Sequence, residues 1–281
     1  MFKRVIIGLF TAYLWVNSSF AINAEEHSDE QDQYSVNTFY ALLVAEMAGQ
    51  RQLFDLALGN YLLEGHRTQD PGVTARATHI AQYIGADQAA LDAATLWVKL
   101  DPSDSGAQIA LSQELVKAAR FSESVIHLQK ALDAAPKTNL SFISLQGSRM
   151  TEGSRELWLE SLTPLTQHYH KNQALIFHVA NLHQQQRNNQ AALAAVDKLL
   201  DLNKKYYPAW NLKSRLHTAL GDIDSALSTI NKALTLFKKD KAFSLQKARL
   251  LIKKKDIKQA RDVFADVAKL YPRDAHVLLP L

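Results

Sequence analysis

An all-α solenoid of stacked helix–turn–helix units is the fold class this sequence predicts, and three observations predict it. Alanines recur at a spacing of 34 residues, at Ala192, Ala226 and Ala260. Twelve positions before each stands another small residue: Ala180, Ser214 or Ala248. Four positions after each comes an apolar one: Val196, Ile230 or Phe264. A unit of this length holds two helices. Small residues let the pair cross closely, and the apolar residue one turn on continues the buried stripe. Such a unit cannot bury its apolar face alone, so it stacks on its neighbours.

At the amino terminus, Lys3 and Arg4 precede the apolar run Val5 to Val16 and the small polar stretch Asn17 to Ala21. A basic start, an apolar core of about a dozen residues and small residues at the exit predict a signal peptide over 1–21, cleaved after Ala21 or at the second candidate, Ala24. The run is too short to span a hydrocarbon core of ~30 Å, so the mature protein is expected to be soluble. Residues 22–36 include the acidic stretch Glu25 to Gln33, which lacks periodicity and predicts a flexible lead-in.

Residues 37–273 form the predicted solenoid. Counting back from Ala192 in the same steps reaches Trp158, Ser124 and Ala90, and one further step, short by a single residue, reaches Ala57. The unit around Ser124 runs regularly from Arg120 to Pro136, and Ala90 is flanked by Gly85 at a tight turn and by Pro102. About seven units result. The one over about 139–171 is degenerate: Trp158 puts a bulky ring where a small residue belongs, although Gly153 keeps its place. It is expected to be helical but irregular, a place for a bend or break. Proline ends the last unit at Tyr271-Pro272. Residues 274–281 form a short tail whose Val277, Leu278, Leu279 and Leu281 could fold back over the solenoid's end, or that end could be a partner or self-association site.

The period, Trp210 near the start of its unit and the closing Tyr271-Pro272 resemble the tetratricopeptide repeat (TPR), which implies a right-handed solenoid with the first helix of each unit lining a concave groove. Extended peptides and partner helices dock in such grooves. Groove positions in the three clearest units include Asn181 and Gln184, then Asn211 and Arg215, then Arg249 and Lys253, which are the candidate partner-binding residues. Asn181, Arg215 and Arg249 share one position in successive units and should form a row. Asparagine can hydrogen-bond a peptide backbone, and arginine can clamp a carboxylate.

Charge is unevenly distributed. From Ile22 to Asp197 there are 12 Lys/Arg against 20 Asp/Glu, a balance of −8; from Lys198 to Arg273 there are 18 against 7, or +11. The basic third carries Lys238-Lys239-Asp240-Lys241 and Lys253-Lys254-Lys255. Three readings stand: solvated helix faces, an acidic protein or an anionic envelope surface, and nucleic acid. Nucleic acid is disfavoured, because aromatic residues are not interleaved with the basic ones.

No site chemistry emerges from the sequence. It holds no phosphate-loop glycine run, nucleophile elbow or His-Glu-x-x-His. Cysteine is absent, which removes thiol nucleophiles, zinc–thiolate sites and a lipid-bearing cysteine. His168, His170, His178 and His183 are the best metal candidates, yet His178 and His183 sit five apart on one helix and do not converge. Neither a metal nor a cofactor nor a catalytic residue is expected.

Tyr40 to Arg51, Leu56 to Tyr61, Asp70 to Val73 and Trp97 to Pro102 resemble the TPR envelope proteins of Gram-negative bacteria. The best understood of these are outer-membrane lipoproteins that hold a carboxyl-terminal processing protease together with cell-wall hydrolases. The resemblance implies a non-catalytic adaptor in the cell envelope with a protease or peptidoglycan hydrolase as partner. Those lipoproteins carry a lipobox cysteine and are longer, so this chain is expected to be free in the periplasm. The alternative is an assembly factor that binds anionic cell wall or lipopolysaccharide through its basic third.

Overall fold

The computed structural model describes residues 35–272. The expected signal peptide, most of the acidic lead-in and the carboxy-terminal tail lie outside the described residues. Within them are fourteen α-helices and no strand: α1 (Val36–Gln50), α2 (Phe54–Thr68), α3 (Pro71–Ile84), α4 (Asp87–Leu100), α5 (Ser105–Lys117), α6 (Phe121–Ala134), α7 (Ser141–Arg149), α8 (Glu152–His168), α9 (Gln173–Gln185), α10 (Asn189–Leu202), α11 (Tyr207–Ala219), α12 (Ile223–Leu236), α13 (Lys241–Lys253) and α14 (Ile257–Leu270). Consecutive helices pair within six of the units, α1 with α2, α3 with α4, α5 with α6, α9 with α10, α11 with α12 and α13 with α14, and the second helix of a unit packs on the first of the next except between α6 and α7.

The small-residue frame lies at the helix crossings. Ala192 and Ala226 are fully buried and Ala260 nearly so, as are Ala180, Ser214 and Ala248 twelve positions earlier. Where serine replaces alanine, the hydroxyls are satisfied across the crossing: Ser112 and Ser124 share a hydrogen bond of 2.8 Å, and Ser124 Oγ also donates to the Ser112 carbonyl.

The turns inside units repeat with the same period. Gly85, Ala119, Arg187, Gly221 and Lys255 all have positive φ, and Gln52 does the same in the first unit. The next residue's N–H reaches back to the carbonyl five positions earlier, as in Arg120 N to Leu115 O (2.8 Å) and Asp256 N to Leu251 O (2.9 Å). This is the Schellman closure, which satisfies carbonyls left open at a helix end. Asn188, Asp222 and Asp256 then cap α10, α12 and α14.

The unit around Trp158 is irregular, but in a way the residue pattern does not show. Gly153 is not a turn residue. It lies inside α8, which starts early at Glu152, while α7 is cut to 9 residues. The turn has moved to Met150–Thr151, and Pro164 sits within the long second helix. Trp158 is fully buried, with its ring 5.8 Å from that of Phe121. Helix α7 packs chiefly on α9 of the following unit, and α8 bridges α6 and α9. One apolar cluster runs from Val116 through Trp158 to Leu182, so packing is continuous across this unit.

Candidate functional site

The first helices of the later units join three of the six sequence-predicted residues, Gln184, Asn211 and Arg215, to neighbouring helices. Gln184 on α9 accepts a hydrogen bond from Arg215 Nη2 on α11 at 3.1 Å. Asn211 on α11 donates to Gln246 Oε1 on α13 at 3.5 Å, and Gln246 Nε2 donates to Ser214 Oγ at 3.3 Å. Helices α9, α11 and α13 are therefore tied edge to edge by amide and guanidinium groups rather than by apolar contact alone. Asn181 is directed differently: its Nδ2 donates to the Phe177 carbonyl of its own helix at 2.8 Å.

Arg215, Arg249 and Lys253 are exposed. Arg249 and Lys253 have no ion pair among the described residues. Lys254, by contrast, is bound to Asp224 at 2.6 Å on the other face, and Lys213 to Asp197 at 2.6 Å. The structure thus divides the basic third into cations engaged in pairs and cations open to solvent. Of the expected row Asn181, Arg215 and Arg249, Asn181 bonds its own helix and Arg215 is held by Gln184, while Arg249 stands free on α13, as does Lys253.

Residue spacing missed the contacts between α7 and α9. Ser144 Oγ lies 2.9 Å from His178 Nδ1, and Gln185 Nε2 donates to the Ser144 carbonyl at 2.9 Å. The signal was present, since His178 stands one repeat length after Ser144. Burial pushes His178 down to about 4. A base that weak, with no carboxylate recorded on its second nitrogen, is a poor partner for activating a hydroxyl. The pair reads as a buried polar contact that positions two helices.

His168 and His170 lie apart from His178, beside a cleft of about 680 Å³ between Lys137 and Tyr206. Among the described residues no group of three His, Cys, Asp or Glu side chains converges as a metal site would require. No described helix is long and apolar enough to cross a membrane.

A sequence profile for the tetratricopeptide repeat matches residues 217–279. A TPR repeat-containing protein of Pseudomonas aeruginosa is 34% identical over 225 residues, which cover 80% of this chain and 38% of that protein. This chain is a tetratricopeptide-repeat protein. The TPR units span nearly all the described residues, yet the chain matches well under half the length of that relative. Among solved structures, PilW, a widely conserved type IV pilus biogenesis factor, is similar with a TM-score of 0.45 and 13% identity, over 88% of this chain and 99% of that one. MamA is similar with a TM-score of 0.43 and 13% identity, over 70% and 90% respectively. TPR proteins bind protein partners, and the first-helix surface is where this fold presents an extended groove.

Proposed function

We propose that this TPR protein is an exported, non-catalytic adaptor that binds a partner segment along its first helices in the bacterial cell envelope. The observation that supports the reading is the linkage of first helices by Gln184–Arg215 and Asn211–Gln246, with Arg249 and Lys253 exposed and unpaired on the last of them; Asn181 is proposed to extend this surface on α9. Side-chain amides suit an extended backbone, and free cations suit acidic side chains beside it. The resemblance of residues 40–102 to envelope adaptors supports a processing protease or a peptidoglycan hydrolase as the partner, and the amino-terminal residues 1–21 support export to the periplasm.

The test is affinity capture from envelope extract at low and high salt, read by mass spectrometry. A protease or hydrolase should be recovered by the wild type and lost by Asn181→Ala/Arg215→Ala. Recovery unchanged by that double substitution would refute groove binding. The exposed run Lys253-Lys254-Lys255 at the last turn favours one alternative, contact with an anionic envelope surface. Reversing those charges should abolish glycan or lipid retention and leave the groove partner bound.

A further inference from the structure

Helix α1 is apolar on two opposite faces. Thr38, Ala45 and Ala48 are buried against the body of the protein. Val36, Phe39, Tyr40, Leu43 and Met47 face solvent, at 85%, 68%, 67%, 48% and 45% exposure. A helix that is apolar all round belongs in an interior.

The later units show what this outer face is for. Residues at the register of Leu43 and Met47 point at the preceding unit throughout the solenoid. Arg76 pairs with Glu46 at 3.2 Å, Glu114 accepts from Gln82 at 2.9 Å, and His178 meets Ser144. Leu182 seats directly on Gly147, and Gln246 reaches Asn211. Leu43 and Met47 are thus stacking-face residues of a unit that has no earlier unit to stack on among the described residues. The acidic run Glu25 to Gln33 offers no apolar side chain to match them. Terminal units of solenoids need a cover over this face.

We propose that a second copy of this chain supplies it, through antiparallel pairing of α1 with α1. The stripe Val36, Tyr40, Leu43 and Met47 has spacings of four, three and four residues, which is a two-heptad seam and reads the same in reverse. Antiparallel pairing therefore sets Val36 against the partner's Met47 and Tyr40 against the partner's Leu43, with all four side chains matched. The same patch serves both copies, as an isologous interface requires. Charge does not oppose it. The one ionisable group besides Tyr40 within α1 is Glu46, which is held by Tyr61 and Arg76. The four seam side chains together with Phe39 flanking them expose about 600 Å² per copy, so the pair buries at most roughly 1,200 Å², at the lower bound of a stable interface. A dimer in the micromolar range is expected.

The absence of cysteine makes the test clean. Val36→Cys and Met47→Cys proteins, purified separately and mixed under mild oxidation, should cross-link to each other. Neither should cross-link alone, because like positions lie about 16 Å apart along the antiparallel pair. Sedimentation of the cysteine-free protein should show a concentration-dependent dimer, weakened about 100-fold or more by Leu43→Lys, whose melting temperature should stay near that of the wild type because the site is exposed. A monomer at ~100 µM would overturn the proposal. So would Val36→Cys cross-linking to itself, which marks a parallel pair, or a dimer that Leu43→Lys leaves intact.

Discussion

Adding one methyl group at Gly147 should destabilise this protein, and adding the same group at Gly59 should stabilise it. Both glycines lie inside helices, where glycine costs about 0.5–1 kcal/mol relative to alanine through backbone entropy. At Gly59 a Cβ meets nothing within 4 Å, so that gain should be realised. At Gly147 a Cβ would sit 2.1 Å from Leu182 Cδ2 and 2.6 Å from Gln185 Oε1. Carbon atoms in good contact lie about 3.5–4.0 Å apart, so α7 and α9 must separate by more than 1 Å or Leu182 must leave its rotamer. Leu182 is fully buried and cannot swing aside. Separation would also stretch the Gln185–Ser144 bond and the Arg155 Nε bond to the Gly147 carbonyl at 2.8 Å. Overpacking of this kind costs about 1–3 kcal/mol, more than the propensity gain. Gly147→Ala is expected to lose about 2 kcal/mol net and Gly59→Ala to gain about 0.5–1 kcal/mol. Urea unfolding followed by circular dichroism and tryptophan fluorescence reads both. Gly147→Ala as stable as the wild type would refute the reasoning, because the close approach of α7 and α9 would then not be a constraint.

Trp158→Ala empties the centre of the Val116–Leu182 cluster and should cost about 3–5 kcal/mol in the same assay, with Trp158→Phe recovering part of it. Ala119→Gly should stabilise by about 0.5–1 kcal/mol, because Ala119 holds φ of 57° where glycine has no steric penalty. Acid should weaken the fold through buried histidine. Burial holds His178 at about 4, so as pH falls from ~6.5 the unfolded chain takes up a proton that the folded chain refuses, and stability is lost progressively between ~6.5 and ~4. His127 and His183 are shifted down by burial as well and act in the same direction. Since His178 is partly accessible, its share should be about 2 kcal/mol, and His178→Gln should flatten the pH dependence of urea midpoints by that amount.

The repeat frame was legible because its constraint is local and steric. Two helices crossing closely admit only small residues, so alanine or serine recurs wherever a crossing recurs, and the structure buries each of them. The turns were less legible. Only Gly85 and Gly221 advertise a left-handed residue, while Ala119, Arg187 and Lys255 adopt the same conformation because the Schellman bonds on either side of them outweigh the strain. In the degenerate unit, residue type misdirects. Gly153 kept the turn's place in the count but lies in a helix, whereas the glycine under steric demand is Gly147, and that demand comes from Leu182 on a helix two elements away.

The candidate groove divides in the same way. Residue register alone assigned Asn181, Arg215 and Arg249 to equivalent positions. Only the packing of α9, α11 and α13 decided that Arg215 is held by Gln184 while Arg249 and Lys253 stand free. Composition likewise marks α1 as apolar throughout, but which of its faces lacks a neighbour among the described residues depends on how it packs on α2. The all-α class, the repeat length and the small-residue crossings follow from residue order alone, because periodic spacing is enough to specify helices that pack on their immediate neighbours. Tertiary structure decided the shortened α7, the early start of α8, the pairing of the groove cations and the open face of α1, because each depends on contacts between units whose separation in sequence leaves no periodic mark.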